Sequence, residues 1–261
     1  MNKFLFTLFV LSTGLVSYGQ SIITDRPDQT EASSTVSPGT FQIESGFTFQ
    51  TEDIFRSLPD GSVADKLESQ ALPNTLFRIG LFKRLELRVV TQPELQRLLS
   101  DGETVSRNFG IADLQLGFKV NILEDREGRP EVGFLSHVIL PTGTNGIGIP
   151  SGEYGMVSRL LVTHALNDHM NLAYNLGYEY ITELENYIFV SLSWATALSD
   201  KIGVYLEPYG SLDEWEWVVN ADAGFTYLVH DNLQLDYSFG VGITEGMNYH
   251  SVGASIRLPG N

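Results

Sequence analysis

Apolar and polar residues alternate along most of the chain with a period of two, the spacing of β-strands whose two faces meet different surroundings. The segment 171–180 reads NLAYNLGYEY, with leucine and tyrosine on one face and Asn, Ala, Gly or Glu on the other. Segments 113–120 and 233–243 show the same alternation. Apolar residues spaced at i, i+3 and i+4 are nearly absent, so the sequence predicts an all-β protein.

The alternating segments match in length the ~9–11 residues that a tilted strand needs to cross a bilayer. About twelve strands are predicted, an even number as in bacterial barrels, so both termini would lie on the periplasmic side. The strands are expected to start near Phe41, Thr75, Leu85, Ile111, Glu131, Met156, Asn171, Tyr187, Ile202, Val218, Asn232 and Tyr249.

The links between predicted strands alternate in length, as in outer-membrane barrels. Short links fall at 82–84, 167–169, 199–201 and 230–232, with a longer one at 121–130 on the same side. On the other side, 51–74, 92–108 and 141–155 are long and rich in Gly, Pro, Ser and acids. We expect these three stretches to be irregular outer loops.

The polar face of the strands separates a membrane barrel from a soluble one. A water-exposed face is crowded with Lys, Glu and Asp, whereas this one is mostly Gly, Ser, Asn, Gln and Ala. Aromatic residues stand near strand ends, as they do beside lipid headgroups; these are Tyr178, Tyr180, Trp215, Trp217 and Tyr227. We predict a transmembrane antiparallel up-and-down β-barrel of a Gram-negative outer membrane, with a soluble barrel or sandwich as the alternative.

Residues 1–19 have the three-part layout of a secretory signal peptide. Lys3 precedes an apolar run from Phe4 to Val16, and small residues stand at −3 and −1 before Gln20. The run is shorter than the ~20 residues of a spanning helix. We expect export, cleavage before Gln20 and a mature chain in the cell outer membrane.

Residues 20–40 form a polar leader ahead of the barrel, which is expected to occupy 41–261. The leader has neither a strand nor a helix period, and it contains Asp25, Arg26, Pro27 and Asp28 in succession. Because it carries charge but has no apolar core of its own, we hypothesise that it folds into the periplasmic mouth as a plug. Arg26 would then pair with acidic residues of the wall.

The net charge and the absence of cysteine limit the classes of partner and the chemistry that the chain can have. The net charge of −16 argues against nucleic acid, which favours basic surfaces, and against polybasic attachment to an anionic leaflet. The chain has no cysteine, so disulfides and thiol chemistry are excluded. The expected partners are outer-membrane lipid, the barrel-assembly machinery and a small-molecule solute.

Parity along the predicted strands places a set of polar side chains toward the lumen. The predicted lumen-lining residues are Glu44, Arg78, Glu86, Arg88, Asp113, Lys119, Glu179, Tyr205, Glu207, Tyr209, Asp222, Asp236 and Arg257. One interpretation is a network of cross-strand ion pairs, built from Arg78 through Lys119, that fills and rigidifies the barrel. The other is a passage whose acidic second half favours cations or neutral solutes. Tyr205 and Tyr209 would contact an aromatic solute or simply fill space.

No pattern of residues points to an enzyme, a metal site or a cofactor. His169 and His230 fall in short links, and neither His137 nor His164 stands with a Ser and a carboxylate as a catalytic triad requires. No cluster of His or acids has metal-ligand spacing. Segment 141–146, PTGTNG, lacks the Lys and the following helix of a phosphate loop. We expect no catalytic, cofactor-binding or metal-binding residues.

An ordered string of motifs resembles the outer-membrane family named after a meta-pathway of phenol degradation, whose members are often labelled transporters. The matching segments are 24–28 (TDRPD), 38–39 (PG), 44–46 (ESG), 78–81 (RIGL), 85–88 (LELR), 110–114 (GIADL), 140–143 (LPTG) and 222–227 (DAGFTY). The resemblance implies a barrel of about twelve strands and uptake of small hydrophobic or aromatic compounds, with no catalytic residues. One departure is Leu258, which stands where such barrels usually carry a terminal aromatic residue.

The sequence is therefore compatible with two functions. The first is a porin-like barrel for passive or facilitated passage of small, hydrophobic or aromatic solutes. The second is a closed structural or adhesive barrel whose acidic outer loops bind an external partner. An open or closed lumen separates the two.

Overall fold

The strands form one continuous antiparallel sheet in the computed structural model, which describes residues 22–58, 61, 63–126, 128–150, 152–182 and 185–258. They are β1 (Phe41–Ser57), β2 (Val63–Phe82), β3 (Leu85–Thr91), β4 (Pro93–Ser100), β5 (Glu103–Ile111), β6 (Gln115–Leu123), β7 (Glu131–Ile139), β8 (Gly155–Asn167), β9 (Met170–Thr182), β10 (Glu185–Ala197), β11 (Ile202–Asp213), β12 (Glu216–His230), β13 (Leu233–Gly242) and β14 (Met247–Leu258). The expected signal peptide and the last three residues lie outside the described part.

The sheet closes on itself because β1 pairs with both β14 and β2, so Phe41 has Leu258 on one side and Ile79 on the other. β2 pairs with β3 along one half of its length and with β4 along the other. On the far side, β3 pairs with β6 and β4 pairs with β5. β3 and β4 are therefore one interrupted wall strand, and β5 and β6 are another. Counted this way, the described wall has twelve strands, and the predicted barrel is confirmed.

The prediction of irregular outer loops is wrong for two of the three stretches. β1 runs to Ser57 and β2 starts at Val63, so most of 51–74 is paired strand, and 92–108 lies in β4 and β5. Polar and apolar residues share a face in these extensions, as Arg107 does with Val105 and Phe109 on β5, so period-two alternation is weakened while backbone pairing continues. Stretch 141–155 is irregular up to β8, as expected.

The two faces of the wall are inverted relative to a soluble protein. Glu44, Glu86 and Lys119 are fully buried on the inner face, whereas Leu176 and Phe225 are 54% and 48% exposed on the outer face. An apolar outer band around a polar interior is the arrangement of a barrel in lipid. In the part of the chain that the structure describes, no helix is long and apolar enough to span a membrane.

The barrel has two distinct ends. Phe41 and Leu258 lie at the end that also carries the short links β2–β3, β8–β9, β10–β11 and β12–β13, which we name the turn end. The opposite loop end carries the β1–β2, β4–β5 and β7–β8 connections. Trp215, expected at the start of a strand, lies instead in the β11–β12 turn at the loop end, where it is 92% exposed.

A charge in the middle of the outer band should destabilise the barrel in lipid. We expect Leu176→Arg, at the centre of β9, to lower the free energy of unfolding by about 2–4 kcal/mol, because Arg is costly at the bilayer midplane. Leu198→Arg, in the turn after β10, is the matched control and should cost about 0–1 kcal/mol. Urea unfolding of the barrel in vesicles measures both, and equal losses would contradict this placement of the outer band.

Candidate functional site

The lumen is crossed by the leader, of which residues 22–40 are described. It enters at the turn end, where the Ile22 amide donates to the Asp231 carbonyl at 3.1 Å, and it joins the wall where the Gly39 amide donates to the Gly80 carbonyl at 2.9 Å. A Cβ on Gly80 would lie 2.0 Å from the Ser37 carbonyl oxygen, so the wall has room for the leader only with glycine there.

On one side of the lumen the leader carboxylate of Asp25 lies among three buried cations. It accepts hydrogen bonds from Arg88 Nη1 at 2.6 Å and Lys119 Nζ at 2.7 Å, and it is 3.2 Å from Arg78 Nη1. Glu44 and Glu86 of the wall complete the group, each 2.9 Å from Arg78. We name this group the Asp25 cluster; its members are Asp25, Glu44, Arg78, Glu86, Arg88 and Lys119.

The cluster holds Asp25 in its ionised form. Burial alone would favour the neutral acid, but the charges of Arg78, Lys119 and Arg88 outweigh it and hold the pKa of Asp25 well below its usual range. The wall contributes three cations and only two carboxylates to the cluster, so the leader carboxylate balances the charge.

A second leader carboxylate binds the same cations. Glu31 lies 2.7 Å from Arg88 Nη2 and 3.3 Å from Lys119 Nζ. The Ala32 amide donates to Asp25 Oδ1 at 3.0 Å, which brings the two ends of residues 26–31 together. His137 Nε2 accepts from Arg88 Nε at 2.9 Å, so this imidazole nitrogen is unprotonated and binds a further guanidinium donor.

Between these two anchors the leader crosses to the acidic side of the lumen. We name residues 26–30 the flap. Arg26 Nη2 lies 2.9 Å from Asp236 Oδ1, and the guanidinium rests where a Cβ on Gly46 or Gly253 would come within 2.2 and 2.5 Å of Nη2. The ion pair that the leader hypothesis expected for Arg26 is therefore made to Asp236.

The rest of the flap contacts a group of acids and hydroxyls. The Gln29 amide donates to Glu207 Oε2 at 2.7 Å, and the Thr30 hydroxyl contacts both Glu207 and Ser191. Asp28 Oδ2 accepts from the Ser193 hydroxyl at 3.0 Å. The flap therefore lies against a wall of carboxylates with one cation of its own.

The surroundings of the Asp28 side chain disfavour its ionised form. Burial, and then the neighbouring carboxylate of Glu207, raise the pKa of Asp28 well above its usual range, although the Ser193 hydroxyl lowers it in part. Glu207 and Asp222 are direct cross-strand partners on β11 and β12, and Tyr249 donates to Asp222. Asp222 Oδ1 and the Tyr205 hydroxyl are buried without a hydrogen-bond partner among the described residues.

Two cavities lie inside the barrel, one at each end. The loop-end cavity has a volume of about 480 Å³ and is lined by Glu52, Glu94, Tyr209, Glu245 and Tyr249, among others. The turn-end cavity has a volume of about 500 Å³ and its lining includes Ala173, Ala195, Val204 and Tyr205. Arg26, Pro27 and Asp28 line both cavities, and no other described residue does.

The structure places the thirteen predicted lumen residues in four groups. Glu44, Arg78, Glu86, Arg88 and Lys119 belong to the Asp25 cluster; Tyr205, Glu207, Tyr209, Asp222 and Asp236 lie on the acidic side; Glu179 pairs with Arg159; Asp113 and Arg257 lie apart. Arg257 is near the turn end and donates to the Asp231 carbonyl at 3.0 Å.

Asp113 does not join the expected network with the cations. The chain leaves the sheet between β5 and β6, so parity no longer fixes the direction of this side chain. Asp113 instead accepts from the amides of Gly143 and Ile149 at 2.7 and 2.6 Å, and it holds the β7–β8 connection in place.

Sequence reasoning missed Asp25, Asp28, Glu31 and Arg159 as lumen residues. The three leader acids have no strand parity, so their direction could not be assigned. Arg159 could have been found, because it is a single charge in the apolar run of β8, and its guanidinium lies 3.9 Å from the Phe189 ring centre. Among the described residues, no three His, Asp or Glu side chains are grouped so as to hold a metal ion.

Comparison with known proteins agrees with this fold. Residues 24–258 match the family described as "Putative MetA-pathway of phenol degradation". The chain belongs to this family. A search of curated proteins found no match.

Several solved outer-membrane barrels are similar to this chain. A channel from Pseudomonas putida F1 has a TM-score of 0.67 at 10% identity and covers 87% of this chain and 98% of its own. The translocator domain of the autotransporter NalP from Neisseria meningitidis has a TM-score of 0.52 at 13% identity, covering 85% and 90%. The porin KdgM has a TM-score of 0.51 at 9% identity, covering 82% and 98%. At these identities the likeness shows the fold.

Removal of the Asp25 charge should destabilise the barrel. We expect Asp25→Asn to lower the free energy of unfolding by about 3–5 kcal/mol, because it removes a buried carboxylate that Arg78, Arg88 and Lys119 share. Asp125→Asn, in the exposed β6–β7 link, is the matched control and should change it by less than about 0.5 kcal/mol. Urea unfolding of the full chain in detergent measures both, and a loss for Asp25→Asn no larger than that of the control would show that the cluster does not need this carboxylate.

The Asp25 contribution should also disappear in acid. A carboxyl whose pKa is lowered on folding stabilises the folded state above its unfolded pKa of about 4 and loses that effect as the pH falls through its lowered value. The difference in unfolding free energy between the wild type and Asp25→Asn should therefore be constant from pH 7 to about pH 4 and shrink below it. A difference that grows on acidification would contradict the ionised state of Asp25.

Proposed function

We propose that the protein is an outer-membrane channel through which small solutes pass, with the leader as a plug inside the lumen. The observation that carries this proposal is the pair of cavities, one reaching the leader from each end of the barrel. In this proposal residues 1–19 are a cleaved signal peptide, 20–40 are the plug and 41–261 are the barrel. The protein binds, selects and passes solutes rather than transforming them.

The residues that line the cavities indicate which charge and chemistry a solute should have. Glu52, Glu94 and Glu245 make the loop-end cavity acidic, and Tyr209 and Tyr249 add aromatic rings. An acidic mouth repels anions and admits cations and neutral molecules. The turn-end cavity combines small apolar side chains such as Ala173 and Ala195 with acidic ones such as Glu131. Together with membership of a family named for phenol degradation, these linings favour small neutral aromatic compounds or cations.

A closed structural barrel is the second candidate. It is favoured by the contacts that the leader makes with opposite walls, at Arg88 on one side and Asp236 on the other. If the leader never moves, the two cavities stay separate. The acidic loop end would then serve as a surface for an external partner.

Recordings in planar bilayers distinguish the two candidates. We expect the mature chain to give discrete, cation-preferring conductance steps that added phenol interrupts, since a permeating solute occupies the path of the ions. Deletion of residues 21–37 should raise the conductance of a correctly inserted barrel. Heat-modifiable migration on gels is the control for insertion. A silent wild type and a silent deletion variant, both inserted, would overturn the channel function and favour the closed barrel.

A further inference from the structure

The flap is the part of the molecule that separates the two cavities. Of the residues that line them, only Arg26, Pro27 and Asp28 are common to both. A solute that travels from one cavity to the other must therefore pass these three residues.

The two ends of the flap are fixed, and they are fixed to the same place. Asp25 precedes the flap and Glu31 follows it, and both carboxylates bind Arg88 and Lys119. The flap thus leaves the basic wall, crosses the lumen and returns to it. Such a loop can move at its tip while the leader as a whole stays bound.

The flap makes fewer ion pairs than the residues at its two ends. Arg26 makes one ion pair, to Asp236; its guanidinium also donates to the Ser251 hydroxyl at 3.0 Å, and its side chain is 16% exposed. Asp28 has one hydroxyl donor, Ser193, and it faces the carboxylates of Glu207 and Asp222. Ionised carboxylates this close repel one another, and burial strengthens the repulsion.

The other charged and titratable groups around the flap do not cancel this repulsion. Arg159 of β8 donates to the Gln29 carbonyl but is paired with Glu179 of β9. Tyr205 of β11 and Tyr249 of β14 are neutral phenols, and Tyr249 already donates to Asp222. Asp236 of β13 is the partner of Arg26.

We infer that the flap is the gate of the channel and that the solute path runs between residues 26–30 and the acidic wall of β10 to β13, with Asp28 as the residue whose ionisation opens it. This inference rests on the proposed channel function. The Asp25 side of the leader stays in place when the gate opens.

The direction of the pH response follows from Asp28. Its pKa is raised in the closed position, so the closed state is fully stable below the pKa of the open state and is lost as the pH rises through the closed-state value. Between those two values the ratio of open to closed channels should rise by up to about tenfold per pH unit.

Two reversible tethers test which side of the leader moves. The chain has no cysteine, so an engineered pair forms the one possible intramolecular disulfide. Thr30 Oγ1 lies 2.7 Å from Ser191 Oγ on β10, so Thr30→Cys with Ser191→Cys ties the flap to the acidic wall. Ser33 Oγ lies 2.6 Å from Thr163 Oγ1 on β8, so Ser33→Cys with Thr163→Cys ties the leader on its other side and is the matched control.

Single-channel conductance of each pair is recorded oxidised and then after dithiothreitol. We expect the Thr30–Ser191 tether to suppress conductance at least about tenfold, as a shift of the two-state equilibrium by one decade requires, and reduction of the same protein to restore it. The Ser33–Thr163 tether should conduct equally in both states. Equal conductance of the flap tether in both states, or suppression by the control tether, would overturn the inference while leaving the channel function intact.

The pH response is tested with Asp28→Asn, which keeps a polar side chain beside Ser193 but cannot ionise. Wild-type conductance should rise with pH, whereas the variant should stay low at every pH. Asp200→Asn, in the exposed β10–β11 turn and outside both cavity linings, should respond like the wild type. An Asp28→Asn variant that opens with pH as the wild type does would remove Asp28 from the gate.

The channel function itself would be overturned, together with the gate, if both tether variants after reduction and the deletion of residues 21–37 all showed no conductance.

Discussion

The carboxylate of Asp25 is the contact on which the lumen depends. The wall buries Arg78, Arg88 and Lys119 next to Glu44 and Glu86, which leaves one cation in excess. A buried charge without a partner costs several kcal/mol, so the wall alone would be unstable in this arrangement. Asp25 removes the excess and is held ionised by the same cations. The leader is therefore a structural part of the barrel interior, since its charge completes a group that the wall leaves unbalanced.

The opposite wall has the reverse imbalance. Glu207, Asp222 and Asp236 face the flap, which offers Arg26 as its cation and adds a further acid, Asp28. One segment thus meets a surplus of positive charge on one side of the lumen and a surplus of negative charge on the other. The leader is therefore attached strongly to the basic wall, through Asp25, and more weakly to the acidic wall. A plug built this way can be held permanently by one wall and released from the other.

The fold could be predicted from the sequence because lipid outside and water inside force a period of two on every regular strand. The same parity directs Glu207 and Arg88 inward, and both side chains are buried. It failed for Asp113, where the chain leaves the sheet, and along the hairpin extensions, where polar and apolar residues share a face. For the leader, charge alone predicted that Arg26 pairs with an acidic residue of the wall, but the particular partners could not be predicted, because a segment without a period has no defined face. Arg26 and its partner Asp236 are 210 residues apart in the chain, and nothing local connects them.

The wall is shaped around the closed position of the flap. Gly46 and Gly253 are cross-strand partners on β1 and β14, and the guanidinium of Arg26 occupies the space that a side chain at either position would need. A recess that fits one side chain favours one position of that side chain, so the closed flap is a defined resting state. Departure from it gives up the Arg26–Asp236 pair, and since Asp236 is fully shielded from solvent, that loss is only partly offset by water. Repulsion among Asp28, Glu207 and Asp222 acts in the opposite direction. The balance between the Arg26–Asp236 attraction and the repulsion among the three carboxylates then sets the fraction of time that the two cavities are connected.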